Sequence, residues 1–282
     1  MVDPLSVIRN QIGGTADAIR WACILEATAP KAGNVHPSQS FGDLSYADFI
    51  TAANVTAQAL TRTDLSIAKR MFAAVQQSRQ ATGTNVNLGI VLLLGPLVAV
   101  PTFNGKAVAE QLCSFTTADT QDIFNAIAFA GAGGLGVSES MDVTKPPTED
   151  IHILAAMHLA TDRDRIAKQY AGNYADLIEN IVPVLAESIR TVGDVLAGIA
   201  DAHLRMLASD PDSLIARKCG GDIAGEVQRQ AGEVDRSDPE SIARFDRFLR
   251  SRGNTLNPGT TADLIAAALY ILLKHPDDIA GT

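Results

Sequence analysis

Apolar positions recur along most of this chain at spacings of three and four residues, and stretches that alternate apolar with polar are almost absent. That period belongs to helices with one face turned inward. Helix punctuation falls where the pattern needs it. Asp3-Pro4 reads as an N-cap with proline at the first helical position. It opens a helix through Trp21 and Glu26 that stops before Pro30. Ser45 with Asp48 three residues on has capping-box spacing, with Asp in place of Glu, and starts a helix to about Leu60. Another helix covers about 64–80. Thr117 caps one that ends at Gly133-Gly134-Leu135-Gly136, and a polar loop with paired prolines (142–147) follows. Thr148 opens a helix to about Ala160, and Asp162 starts a long, partly charged one broken at Pro183. The stretch 191–208 is amphipathic, and Asp210-Pro211, Gly221 and Asp238-Pro239 each mark a further start. The last helix opens after Asn257-Pro258-Gly259-Thr260-Thr261 and runs to about His275.

Two runs depart from one-sided patterning. Residues 90–100 and 264–273 carry no charge, and a helix apolar all round is a buried one. Pro96 inside the first run predicts a kink or an early stop. Both runs fall short of the roughly 20 residues that a membrane span needs. No linker or fixed-period repeat divides the chain. The pattern predicts an all-α fold, one multi-helix domain over 1–282 with a central buried helix pair.

Composition narrows the function. The chain has 282 residues, 46% of them hydrophobic, enough for a large core. A net charge of -9 argues against nucleic acid and anionic membranes as partners. A phosphorylated ligand then needs local positive charge or a metal. The three cysteines are scattered, so neither a disulfide framework nor a zinc site is indicated. Reduced thiols, and no signal-peptide pattern at Met1, point to the cytoplasm.

Three polar segments are richer than helix connections require: 30–44, 82–89 and 257–264. The second and third share one design, a Gly/Thr/Asn turn feeding an uncharged helix. Free N–H groups at such a start favour an anion. If the two helices lie parallel, both turns open at one end. They could then cradle a polyphosphate, with Asp43 and Asp263 holding Mg²⁺ on it. Each feature also has a purely structural reading. The Thr82–Gly89 turn could be an N-cap, Asp263 a dipole partner and Asp43 a turn former. Lys31 could cap a helix end or pair with Glu26. His36 beside Pro37 reads as exposed and inert. Arg163 and Arg217-Lys218 read as a solvated face or as secondary phosphate contacts.

Several of these stretches, in order, resemble the triphosphoribosyl-dephospho-CoA synthase family. They are Leu25-Glu26, Pro30-Lys31-Ala32-Gly33-Asn34-Val35, Phe41-Gly42-Asp43, Ala81-Thr82-Gly83 through Asn85-Val86-Asn87-Leu88-Gly89, Gly133-Gly134-Leu135-Gly136, Asp162 through Tyr170, and Pro258 through Leu264. The resemblance covers about 20–273. It implies an all-α pentosyltransferase that joins ATP and 3′-dephospho-CoA to give 2′-(5″-triphosphoribosyl)-3′-dephospho-CoA and adenine. ATP and Mg²⁺ are the implied ligands, and a homo-oligomer is compatible with it. Carried onto this chain, it implies Glu26, Asp43 and Asn87 in catalysis and Asp43 and Asp263 on the metal. It implies Lys31, Asn34, Thr82, Gly83, Thr84, Asn85, Gly259, Thr260 and Thr261 around the nucleotide. The chain departs from the family's citrate-lyase branch at Asn87 and Leu88, where that branch carries histidine and lysine, and Ala32 replaces a proline. Those departures leave two alternatives open: a related transferase acting on another cofactor precursor, as in one-carbon carrier biosynthesis, or a non-catalytic nucleotide-binding homologue.

Overall fold

The computed structural model describes residues 3–131 and 151–279. The first expected helix divides in two. Asp3 accepts from the Leu5 N–H, and Leu5 takes the N-cap position of α1 (Ser6–Arg9). The chain then breaks at Gly13-Gly14 before α2 (Thr15–Thr28). The Ser45–Asp48 capping box forms and starts α3 (Tyr46–Leu60). Next come α4 (Ile67–Thr82), closed by Gly83 at φ +75°, and α5 (Leu88–Ala99). After α6 (Gly105–Cys113), α7 (Thr117–Ala130) is capped by Thr116 and closed by Gly131. The expected stop at Gly133–Gly136, the 142–147 loop and the start at Thr148 lie outside the described residues.

α8 (Ile153–His158) leads to α9 (Arg165–Ala171), capped by Asp164 rather than Asp162. The long helix expected there is broken before Pro183. Asn173 and Tyr174, at φ 51° and 63°, turn the chain after Gly172. A π-helical turn (Leu177–Ile181) then feeds α10 (Val182–Val192), with Pro183 in its first turn, where proline's missing N–H costs nothing. α11 (Val195–Ser209), α12 (Ser213–Cys219), α13 (Gly221–Gly232), α14 (Pro239–Arg250), α15 (Gly259–Lys274) and α16 (Pro276–Ile279) complete the chain. Among the described residues no strand forms. Two isolated bridges, His36 with Gln39 and Phe41 with Leu44, fold the first polar segment.

α5 and α15 are the expected central pair. Leu264, Ile265, Leu269, Ile271, Leu272 and Leu273 of α15 are all buried, each contributing roughly 1.5–3 kcal/mol relative to exposure. The pair runs parallel. Gly89 meets Asp263 at one end, while Phe103, just past α5, lies 5.8 Å from the His275 ring at the other. α2 packs against α15 and α4 against α5, with α3 and α7 outside them and α10 and α11 on the remaining side. A second, smaller core joins α11 to α14 through Leu207, Ile215, Val227, Phe245 and Leu249.

Pro96 does not stop α5. A proline at that position leaves the Leu92 carbonyl without its helical N–H. The Tyr170 hydroxyl donates to that carbonyl at 2.6 Å, and the Tyr174 hydroxyl donates to the Leu93 carbonyl at 3.0 Å. Both tyrosines are fully buried. The left-handed turn at Asn173-Tyr174 is what brings the second ring into place.

Candidate active site

The parallel pair opens both turns into one cleft of about 450 Å³, within the range of small-molecule sites. Part of its lining is apolar, with Phe124, Ile127, Met157, Leu159 and Leu88. Another part is polar, with Glu26, Asn34, Asp43, Asn85, Arg163, Asp164, Arg217, Lys218, Asn254, Asn257, Thr260 and Asp263.

Asp263 sits at the meeting of the two helices. A Cβ at Gly89 would overlap its carboxylate, and the Ile166 side chain borders the same spot. Glycine at 89 is therefore what lets the carboxylate lie across the start of α5. Among the described residues Asp263 gains no hydrogen bond. Burial, then the negative charges of Glu26, Asp212 and Asp164, push its carboxyl well above the usual carboxylate range, opposed by Arg217. Asp43 sits exposed at the rim, its carboxylate accepting from the Asn254 amide at 2.6 Å.

Among the described residues the cations that line the cleft are Arg163, Arg217 and Lys218. Arg217 pairs with Asp164, yet its Nε is buried with no partner. Lys218 donates to the Asn254 carbonyl at 3.3 Å, and burial lowers its pKa. In sequence these three read as a solvated face or as secondary phosphate contacts. The signal for Arg217 and Lys218 was their place in the last turn of a short helix, and nothing local says that this turn faces the Thr84–Ile90 wall.

Other expected residues sit elsewhere. Lys31 is wholly buried, 0% exposed, and donates to the Glu26 carboxylate at 2.9 Å and to the Glu26 carbonyl. It is thus the ion-pair partner of Glu26 and not a cleft cation. Thr82 and Gly83 close α4, the Thr82 hydroxyl donating to the Ser78 and Thr84 carbonyls. Thr261 is buried, and its N–H and hydroxyl both donate to Asp212 at 2.8 Å. Asn87 lines the cleft with an amide that points inward, donating to the hydroxyls of Thr56 and Ser78. Asn85, not Asn87, accepts from the α5 backbone, taking the Leu88 N–H at 3.3 Å. Asn34 donates to the Asn257 amide oxygen at 2.5 Å, and its own Oδ1 is buried without a partner.

The family described as CitG: ATP:dephospho-CoA triphosphoribosyl transferase matches residues 13–278. The chain belongs to this family. It is an ATP-dependent transferase of the triphosphoribosyl-dephospho-CoA synthase type, acting on small-molecule nucleotides. A crystal structure of a candidate triphosphoribosyl-dephospho-CoA synthase from Archaeoglobus fulgidus has a TM-score of 0.63 to this fold at 19% identity. The likeness covers 80% of this chain and 97% of that one, and at such identity it speaks for the fold. No curated protein matches the chain. Among the described residues no helix is long and apolar enough to cross a membrane.

For a member of this family the donor set at the cleft floor suits Mg²⁺. Among the described residues no cluster of three or more His, Cys, Asp or Glu could hold a metal by itself. Magnesium on a nucleotide asks for less: one or two carboxylates, waters and the phosphates themselves. An unpartnered carboxylate with negative neighbours meets that demand.

Proposed function

We propose that the cleft binds ATP with its triphosphate against Arg163, Arg217 and Lys218, and transfers the intact triphosphoribosyl group to a hydroxyl of 3′-dephospho-CoA. The observation that carries this reading is the orphaned Arg217 Nε beside the unpartnered Asp263 carboxylate. One can donate to a phosphate oxygen, and the other can face the cation that accompanies it. Asp263, joined by Asp43 from the rim, would hold Mg²⁺, which when bound neutralises phosphate charge.

In the reaction the C1′–N9 bond of ATP breaks, adenine leaves with the bonding electrons, and the acceptor oxygen bonds to C1′. The acceptor's proton balances the charge on adenine. Glu26 lines the cleft in its ion pair with Lys31, placed to steady the positive charge that develops at C1′. The unpartnered Asn34 Oδ1 would accept from a ribose hydroxyl, and the free amide of Asn85 would donate to the nucleotide. The apolar part excludes water and takes the uncharged parts of the two substrates. Gly259, Thr260 and Thr84 complete the polar wall. Thr261, Thr82 and Gly83 contribute through backbone placement.

A second acceptor class is favoured by one feature. Leu88, half-buried, lines the cleft where the citrate-lyase branch carries lysine, so the start of α5 itself brings no cation for an acceptor phosphate. The test is incubation with ATP, Mg²⁺ and 3′-dephospho-CoA, followed by chromatography for adenine. Stoichiometric adenine and a triphosphoribosylated acceptor are expected. Adenine release with a different cofactor precursor alone changes the acceptor. ATP binding without adenine from any acceptor turns the protein into a binding homologue.

A further inference from the structure

Three helices that bring charged groups to the cleft begin at two adjacent residues. The Arg165 N–H, at the start of α9, donates to the Ser213 hydroxyl at 3.3 Å, and that hydroxyl meets the Thr260 hydroxyl at 3.1 Å. Beside it, Asp212 is 2% exposed and carries four hydrogen bonds. Its Oδ1 accepts from the N–H groups of Leu214 and Ile215 at 2.9 and 3.1 Å, capping α12. Its Oδ2 accepts from the N–H and hydroxyl of Thr261, both at 2.8 Å, in the first turn of α15. Elsewhere an N-cap aspartate serves the backbone of its own helix: Asp194 takes the Ala197 N–H, and Asp238 those of Glu240 and Ser241. Asp212 gives its second oxygen to the backbone of another helix.

We propose that Asp212 is a positioning residue for the transfer reaction. It locks the start of α12, which carries Arg217 and Lys218, to the start of α15, which carries Asp263. One buried carboxylate thereby sets the spacing between the α12 cations and the Asp263 carboxylate in the cleft. The four bonds fix both helices along their axes, and a carboxylate has no second way to satisfy them. Loss of the lock leaves both charges in the cleft at the wrong separation. That fault falls on the transition state more than on ground-state binding, because misplacement by about an ångström can cost on the order of a hundredfold in rate. The role rests on the reading of the cleft given above.

The test compares Asp212→Asn with Thr261→Val, which deletes only the hydroxyl bond, Thr261→Ser, which keeps it, and Asp194→Asn, an equivalent cap away from the cleft. Both readouts are taken below the melting transition of each variant. In adenine release, Asp212→Asn and Thr261→Val should lower kcat about tenfold to a hundredfold with the KM for ATP little changed; Thr261→Ser, which restores the hydroxyl bond, should recover most of the rate lost in Thr261→Val, while Asp194→Asn stays near the parent. In amide hydrogen exchange without ligand, Asp212→Asn should speed exchange in the first turns of α12 and α15 together, and Asp194→Asn in α11 alone. If Asp212→Asn fails to fold, Thr261→Val carries the same comparison. A parental kcat in the folded variants overturns the positioning role. So does exchange that rises in α12 while α15 stays protected, a result that stands even if the parent releases no adenine and the reading of the reaction itself fails.

Discussion

The turns before α5 and α15 share a vocabulary of Gly, Thr and Asn, and they end up built on opposite principles. The turn before α5 satisfies itself. Asn85 takes the Leu88 N–H, Thr82 ties back to Ser78 and Thr84, and Asn87 sends its amide into the core. The turn before α15 is satisfied from outside, by a carboxylate on another helix. Because Asp212 supplies that anion, Asp263 need not serve as a cap and lies toward the cleft, with no hydrogen bond among the described residues. A helix start capped by its own loop is punctuation. One capped from a distance leaves its native acid free for chemistry, at a cost in stability that a ligand can recover.

The strongest way to break this comparison is Asp263→Asn. Its carboxyl is raised above the unfolded value, so the stability it contributes is complete at low pH and is lost as pH rises through the folded value. The ionised form therefore destabilises the ligand-free protein at neutral pH. The amide should melt higher than the parent near pH 7, and the gap should close as pH falls toward the ordinary carboxylate range. Adenine release should fall about 10²–10³-fold, as for removal of a single electrostatic contact to a transition state. A variant that melts lower and keeps its rate would make Asp263 an ordinary helix-start acid.

Gly89→Ala sharpens the same point from the other helix. Alanine in a helix ordinarily gains about 0.5–1 kcal/mol over glycine. Here the new methyl would overlap the Asp263 carboxylate, the movable end of a side chain. The fold should survive with the carboxylate displaced, and adenine release should drop by about a factor of ten or more. Unchanged kinetics would show that the contact between the two turns has no bearing on the reaction.

How much of this was legible in the sequence depended on range. Some caps that act on their own helix were readable, Ser45 with Asp48 and Asp238 with Pro239, as was the run of α15. Others fell short of the pattern: Thr116 caps α7 in place of Thr117, Asp164 caps α9 in place of Asp162, and Asp3 opens no long helix. Features with a distant partner were not readable. Pro96 reads as a kink or an early stop, and the hydroxyls that donate to the Leu92 and Leu93 carbonyls come from Tyr170 and Tyr174, 78 and 81 residues away in sequence. Lys31 reads in sequence both as a phosphate cation and as the partner of Glu26, and its burial decides for the pair. Thr261 reads as a phosphate ligand until Asp212, 49 residues earlier, takes both of its donors. Arg217 and Lys218 were ranked low because an α12 of seven residues says nothing about what it faces.

The smallest effect separates the two asparagines of the α5 turn. Asn87 is 6% exposed and donates to Thr56 and, at 3.0 Å, to Ser78. Asn87→Ala removes the shared partner of two buried hydroxyls, so stability should fall by about 1–3 kcal/mol. ATP affinity measured by calorimetry should stay near the parent, since that amide never faces the nucleotide. Asn85 is exposed at the mouth of the cleft, and its bond to the Leu88 N–H is long at 3.3 Å. Asn85→Ala should therefore cost less than about 1 kcal/mol of stability, the low side of a capping loss. If its amide meets a phosphate or ribose oxygen, ATP affinity should drop about tenfold, corresponding to about 1.4 kcal/mol. A thermal melt without ligand and an ATP titration read the two effects separately. The pair inverts the simplest reading of the turn, in which the residue directly before the helix is the cap. Loss of stability in both variants with unaltered affinity would leave the whole turn as punctuation, and would move nucleotide recognition entirely to the α12 and α15 wall.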